Sequence, residues 1–398
     1  MADTNGGSRE PGAGGSAGGA AADPGARTPA RLPLLRRLLR SRTARAAVAA
    51  GTAGALLGAG TAAWRAGSLP LLNPAAAPCW DSFDDGTMEA LFGERETRVE
   101  EESLQPDPLG GLVYGQCRIT SYGEGRAAGQ LTVRVRTLDG LRGSDAQQWP
   151  EEFLGARMAS MGAGLPGMAS ASRAWLALPE SCTGPTGEYE AATVVDLAMG
   201  GTQSFSEHEE EDRAVLVRAA VSAANGVLRD FGCSGAYRMP GRLPEPTVRQ
   251  DVTAHSFCGI KGLTLPAAYR EGMTWSRTGG SGEGPAGVCE VNYKSLDATL
   301  RLTTVVDPSL SAVFSRDVLR GGIHVRGTKG NGTVNQKRAV YEAACQTGPV
   351  VFMVEQKSSL EDGRFDLTRA LLPPYVAAEA ERIGCGPEKV AVTDPPRR

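Results

Sequence analysis

Eight cysteines, Cys79, Cys117, Cys182, Cys233, Cys258, Cys289, Cys345 and Cys385, constrain this chain more than any other feature. Successive gaps are 38, 65 and 51 residues in the first four and 31, 56 and 40 in the last four, so both sets run short, long, intermediate. A fold written twice, with shorter loops the second time, has this spacing. The flanking residues agree. Tyr114-Gly115-Gln116-Cys117-Arg118-Ile119 leads to the alternating run Leu131-Thr132-Val133-Arg134-Val135, and Ala286-Gly287-Val288-Cys289-Glu290-Val291 leads to Thr299-Leu300-Arg301-Leu302. Alternation of this kind marks half-buried strands.

Each half closes on a helical stretch ended by Gly-Cys: Arg213 to Phe231 before Gly232-Cys233, and Arg369 to Ile383 before Gly384-Cys385. Counted back from the cysteine, Ala220, Ala224 and Phe231 match Leu372, Val376 and Ile383, a stripe suited to facing a sheet. Pro373-Pro374 predicts a kink or a late start in the second helix. The remaining pattern predicts, in the first half, a short helix near 87–92, strands around 97–104, 112–121 and 129–138, a helix from about 148 to 160, and strands near 172–178 and 188–198. In the second it predicts a helical turn near 266–270, strands near 273–277, 286–293 and 297–305, a helix near 309–319, and two or three strands up to about 356.

The eight cysteines divide evenly between the halves, which argues for two disulfides in each and for an oxidising compartment. Three connectivities are open in each half. Sequential pairing, Cys79 with Cys117, Cys182 with Cys233, Cys258 with Cys289 and Cys345 with Cys385, treats both alike. No C-x-x-C occurs, which removes thioredoxin-type chemistry and the common zinc knuckles.

Residues 46–64, AAVAAGTAGALLGAGTAAW, carry no charge and are just long enough to cross a bilayer, although only Val48, Leu56, Leu57 and Trp64 are large. Arg36, Arg37, Arg40, Arg42 and Arg45 precede them, so the positive-inside rule leaves the tail cytoplasmic and the body outside. Three other readings stay open. Arg36-Arg37 ahead of this stretch resembles a twin-arginine export signal, with Ala75 and Ala77 as its cleavage site; the stretch is also compatible with an ordinary secretory signal or a loose cytosolic segment.

The expected fold class is therefore α+β: a single N-terminal membrane helix followed by two tandem repeats of an antiparallel sheet with helices on one face. The expected divisions are a disordered basic cytoplasmic tail over 1–45, the membrane helix at 46–64, repeat 1 at 79–235, a linker at 236–252, repeat 2 at 253–386 and a frayed tail at 387–398. Met239-Pro240-Gly241-Arg242-Leu243-Pro244-Glu245-Pro246 is what makes the linker read as stiff.

The net charge of −3 conceals an asymmetry. Residues 1–45 hold eight arginines against Asp3, Glu10 and Asp23, a balance of +5, so the remainder stands at −8. An acidic body excludes nucleic acid as the expected partner. Arginine outnumbers lysine thirty-six to six, a composition typical of high-GC bacteria.

A cysteine ahead of a short helix, a second in a following strand, a third later and a fourth after a closing helix resemble the two-disulfide extracytoplasmic domains of actinobacterial secreted lipoproteins of unknown function. The same order is similar to the extracellular sensor domain of mycobacterial Ser/Thr kinases. The resemblance covers residues 79–233 and 258–385 and implies fold and compartment, not a ligand. The chain lacks a lipidation site at Cys79 and any kinase signature, so it implies no phosphorylation chemistry.

Motifs that carry chemistry mostly fail on context. Gly162-Ala163-Gly164-Leu165-Pro166-Gly167 fits a dinucleotide fingerprint, but a helix is expected before it and Pro166 interrupts it, so it reads as a loop. Gly322 to Lys329 resembles a phosphate-binding loop with its last residues reversed, and reads instead as a hairpin turning through Gly330-Asn331-Gly332. His208, His255 and His324 stand far apart, which leaves metalloprotease chemistry unsupported. Glu207-His208-Glu209-Glu210-Glu211-Asp212 reads as a solvated helix start, where negative charge suits the dipole, rather than a calcium site. No G-x-S-x-G nucleophile elbow occurs. Trp80, Trp149, Trp175 and Trp275 read as packing residues, with a ligand groove as the other use of such rings.

No catalytic, cofactor-binding or metal-binding residue is identified, and no cofactor is expected. The expected function is a membrane-anchored extracytoplasmic protein for binding, sensing or envelope interaction. Its partner would be an extracytoplasmic ligand or envelope protein, and its membrane contact residues 46–64. An exported hydrolase acting on cell-wall or peptide material is the alternative, and a structural envelope or assembly component a third.

Overall fold

The structure, a computed structural model, describes residues 76–105, 113–139, 144–186, 190–200, 209–245, 249–253, 257–280, 284–294, 298–319, 321–360 and 366–393. The tail over 1–45 and the stretch 46–64 lie outside them. In the first half a left-handed turn at Pro78–Asp81 and helix α1 (Asp85–Phe92) precede strands β1 (Glu96–Glu101), β2 (Val113–Gly123) and β3 (Arg126–Asp139). Helix α2 (Ser144–Phe153) follows, then β4 (Ala159–Ser160), β5 (Gly167–Ala169), β6 (Arg173–Ala177), the single turn α3 (Glu180–Thr183), β7 (Glu190–Gly200) and α4 (Glu209–Asp230). The second half runs β8 (Gln250–Asp251), α5 (Ala267–Arg270), β9 (Met273–Gly279), β10 (Ala286–Tyr293), β11 (Ala298–Val305), α6 (Pro308–Ser311) and a 3-10 turn at Ala312–Phe314. It ends with β12 (Ile323–Gly327), β13 (Gly330–Val334), β14 (Arg338–Cys345), β15 (Gly348–Gln356), α7 (Leu367–Arg382) and β16 (Val390–Thr393).

The strands form two antiparallel sheets, ordered β1-β2-β3-β7-β6-β5-β4 and β16-β12-β13-β14-β15-β11-β10-β9-β8. Without β8 and β16, which extend its two edges, the second order is that of the first read from the other end.

This corrects the expected fold class. Two antiparallel sheets dominate the described residues, helices are few, and none of those helices is long and apolar enough to cross a membrane. The longest, α4, opens on Glu209, Glu210, Glu211 and Asp212 and keeps Arg218, Arg229 and Asp230 exposed. Nor do the helices keep to one face of each sheet. Central strands such as β11 and β15 are buried almost end to end, so both of their faces require cover.

The cover comes from three apolar layers. Helix α4 lays Leu216, Ala220, Ala224 and Val227 on the first sheet, against Leu131, Val133 and Leu197. Helix α7 lays Leu371, Leu372 and Val376 on the second, against Leu300, Leu302 and Phe352. Between the sheets a third core joins Trp149, Phe153 and Trp175 of the first half to Leu310, Phe314 and Met353 of the second. Trp149 and Trp175 meet edge to face, with ring centroids 4.9 Å apart.

Two arginines, the buried Arg301 and the part-buried Arg338, bridge the halves at this middle layer. Pro150 stands inside α2 and has no N–H, which leaves the Ala146 carbonyl without its helical partner. Arg338 donates to that carbonyl, while the fully buried Arg301 donates to the Pro150 carbonyl at 2.9 Å and to Glu355 at 2.7 Å.

The expected linker and frayed tail also carry structure. Tyr237 exchanges two hydrogen bonds with the Asn225 side chain, 2.7 and 3.0 Å, and donates to the Ala177 carbonyl; β8 then pairs with β9. Residues 390–393 pair with β12, and Glu388 is buried beside them. The hairpin after β12 turns at Thr328-Lys329, and Gly330, Asn331 and Gly332 belong to β13.

Candidate functional site: a cleft in the second half

All eight cysteines pair, sequentially: Cys79–Cys117, Cys182–Cys233, Cys258–Cys289 and Cys345–Cys385. They make the described body a secreted or extracellular one. They also give the halves a common frame. Cys79 and Cys258 both sit at positive φ, 56° and 57°, and bond to the second strand of the outer hairpin, β2 or β10. Cys233 and Cys385 each follow a glycine at positive φ, 69° and 78°, and donate N–H to the carbonyl five residues back, a left-handed helix cap.

In this frame, one position separates the halves sharply. The residue after the first cysteine is Trp80 in one and Gly259 in the other. Trp80 is buried in the first core, its indole N–H donating to the Glu102 carbonyl at 2.8 Å. Gly259 is exposed, with no atom beyond its chain neighbours within 4 Å of where a Cβ would stand, and it lines a cavity of about 240 Å³ together with Leu302, Thr278, Tyr375 and Glu379. A second cavity of about 340 Å³ is lined by Thr304, Thr347, Val350 and Ile383. Gly287 and Arg382 line both. Together they form one cleft, bordered by the disulfides of Cys258–Cys289 and Cys345–Cys385.

A chain of polar side chains separates the two chambers. Arg382 holds the Glu379 carboxylate through Nε at 2.6 Å and Nη2 at 2.5 Å. Thr304 Oγ1 lies 3.0 Å from Glu379 Oε1 and 2.5 Å from Tyr375 Oη. The Thr304 hydroxyl has one proton, and the carboxylate can only accept it, so Tyr375 donates to Thr304 and Thr304 to Glu379. Burial, and then the charge of Glu379, push the Tyr375 hydroxyl well above its ordinary range and keep it a donor. The Glu379 hydrogen bonds hold the Arg382 guanidinium in its charged form more firmly than usual, against the opposing effect of its partial burial. Glu379 is buried while the Arg382 side chain is 41% exposed, so the pair presents a cationic edge to the cleft.

The first half has no such chain. Val133 on β3 and Leu302 on β11 pair with the equivalent cysteines of β2 and β10, which places Val135 where Thr304 stands. Counting back from Cys233 and Cys385 places Ala223 and Val227 where Tyr375 and Glu379 stand. All three are fully buried in the first core. The first half keeps its buried carboxylates on the other face of its sheet, where Arg136 binds Asp145 at 2.7 Å and Asp196 at 3.1 Å. Burial there pushes Asp196 up against the pull of Arg136.

The remaining sequence features take structural places. Trp149, Trp175 and Trp80 pack in cores, and Trp275 carries the Arg249 guanidinium over its ring at 4.3 Å. Residues 162–164 form a left-handed loop ahead of β5. Glu209 to Asp212 form the first turn of α4; His208 and His255 lie outside the described residues, and His324 lies on β12. Among the described residues no three His, Cys, Asp or Glu side chains are placed to hold a metal ion. The cleft residues escape a motif search, though Glu379 leaves a trace as an acid in the turn after Val376, on the helix side expected to face the sheet. No known protein family, no curated protein and no solved structure matches the chain.

Proposed function

We propose that this chain is an extracytoplasmic binding protein whose second half takes a small polar ligand into the cleft between Gly259 and Ile383. The observation that carries the reading is the exchange of filled space for lined space: Trp80, Val135 and Val227 in one half, Gly259, Thr304 and Glu379 in the other. A pocket with apolar walls and a few fixed polar groups is the usual form of a small-molecule site. Binding is favoured over hydrolysis because both Glu379 oxygens are already engaged, by Arg382 and by Thr304, which leaves no obvious base for activating water. The acidic body speaks against nucleic acid as a partner. Kinship with the secreted two-disulfide domains of actinobacteria belongs to the same proposal and is supported by cysteine and element order alone.

Native mass spectrometry tests the cleft. The protein and its Gly259→Trp variant are incubated with the small-molecule filtrate of a bacterial culture and desalted. The wild type is expected to retain a bound mass that the variant lacks. Retention by neither protein, or equally by both, would sink the cleft as the binding site.

A further inference from the structure

We infer that the ligand of this cleft carries an oxyanion, a carboxylate or a phosphate, received by the outer edge of the Arg382 guanidinium. The inference rests on the cleft being the binding site and adds the chemistry of what enters it. A guanidinium has five N–H donors in a rigid plane. Glu379 takes the inner edge, from Nε and Nη2. The outer edge, formed by Nη1 and the second N–H of Nη2, is a pair of parallel donors whose spacing matches the two oxygens of one carboxylate or phosphate. Arg382 is the charged side chain shared by both chambers, so a ligand bound at this edge reaches into either.

The surroundings favour a negative group there. The Glu379 side chain is nearly fully buried, whereas that of Arg382 is 41% exposed and lines both chambers. Gly287 puts no side chain against the guanidinium; a Cβ there would stand in ordinary contact with Nη2, at 3.9 Å. Thr278 and Thr347, in opposite chambers, provide hydroxyls for the remainder of such a molecule. A cationic ligand would meet the guanidinium head on. A neutral carbonyl would use one donor of the pair and leave the other to water.

The test follows the Arg382 side-chain N–H signals in the full chain labelled with 15N-arginine. Sodium acetate, sodium phosphate and the neutral isostere acetamide are titrated at constant ionic strength. Acetate or phosphate is expected to give a saturable shift, at least about tenfold tighter than acetamide, and the stronger of the two identifies the source of the oxyanion. Arg382→Lys keeps the charge and loses the fork, so it is expected to weaken the preferred oxyanion about tenfold, read from the shifts of neighbouring cleft residues. Gly259→Trp is expected to weaken it as well. Equal affinity for acetate and acetamide, or undiminished oxyanion binding in Arg382→Lys, overturns the oxyanion. If such binding is still lost in Gly259→Trp, the cleft itself stands. Oxyanion shifts that survive both variants overturn the oxyanion and the cleft together, and no saturable shift with either anion overturns the oxyanion alone.

Discussion

The two halves share a strand order, a disulfide order and a helix cap, yet they spend the space under the closing helix differently. In the first half Trp80 fills it and Val135, Ala223 and Val227 keep it dry. In the second Gly259 leaves it open and Thr304, Tyr375, Glu379 and Arg382 line it. A scaffold with two equivalent corners can use one for stability and the other for recognition, because a cavity carries a stability cost that only one corner has to bear. The difference is concentrated in a handful of positions, which makes it easy to attack.

The largest effect is expected from the filled corner. Trp80→Ala removes a buried indole and leaves the Glu102 carbonyl without its donor. A loss of about 3–5 kcal/mol in unfolding free energy is expected from chemical denaturation. A loss below about 1 kcal/mol would mean that the indole is not what closes the first half, and the contrast with Gly259 would lose its meaning.

The polar chain gives an intermediate effect with a distinctive sign. Thr304→Val and Glu379→Val copy Val135 and Val227 into the second half. Thr304→Val strands the buried Glu379 and Tyr375, and Glu379→Val strands the buried Thr304 and leaves the part-exposed Arg382 to water, so each is expected to cost about 1–3 kcal/mol. The double variant removes both members of the Thr304–Glu379 pair at once, and in it, as in each single variant, the remaining cost comes from whichever of Tyr375 and Arg382 has lost its partner. Its cost is expected to fall short of the sum by about 0.5–3 kcal/mol. Strict additivity in this double-mutant cycle would show that Thr304 and Glu379 act independently.

How far the sequence exposes this contrast depends on the length of each signal. Long strands and closing helices announce themselves: the run 286–293 is the observed β10, and the Gly-Cys endings mark both caps. Strands β4, β5 and β8 have two or three residues, too few to show any period. The helix expected near 309–319 shrinks to α6 and a 3-10 turn. Its start was legible, since Asp307 caps the Ser309 N–H at 2.9 Å and Pro308 sits at the first helical position. Gly330 and Gly332 mislead because glycine serves close approach as well as turning. A Cβ there would stand 1.8 Å from the Glu342 carbonyl oxygen and 2.1 Å from that of Val340, so the glycines let β13 lie against β14. The cleft is legible only in comparison: Cys79-Trp80 beside Cys258-Gly259 shows the missing side chain, but the meeting of Thr304 with Glu379, 75 residues apart, belongs to the fold.

The smallest effect concerns what the second half has and the first lacks, the edge strand β16. Glu388, just before it, accepts from Tyr341 Oη, Thr328 Oγ1 and the Lys329 N–H, tying the C-terminal segment to β14 and to the turn after β12. Burial alone would raise its pKa, but these hydrogen bonds outweigh burial and hold it below the ordinary value of 4.5. A folded-state pKa lowered in this way stabilises the protein above the unfolded pKa, and that contribution is lost as pH falls through the folded value. Glu388→Gln is therefore expected to cost on the order of 1 kcal/mol near pH 7, with the gap to the wild type closing only below about pH 4.5. Urea denaturation of both proteins across this range measures the gap. A gap that stays constant down to pH 3 would show that the Glu388 charge does not hold β16. The edge strand would then owe its place to Val390 and Val392, which pack on the second core.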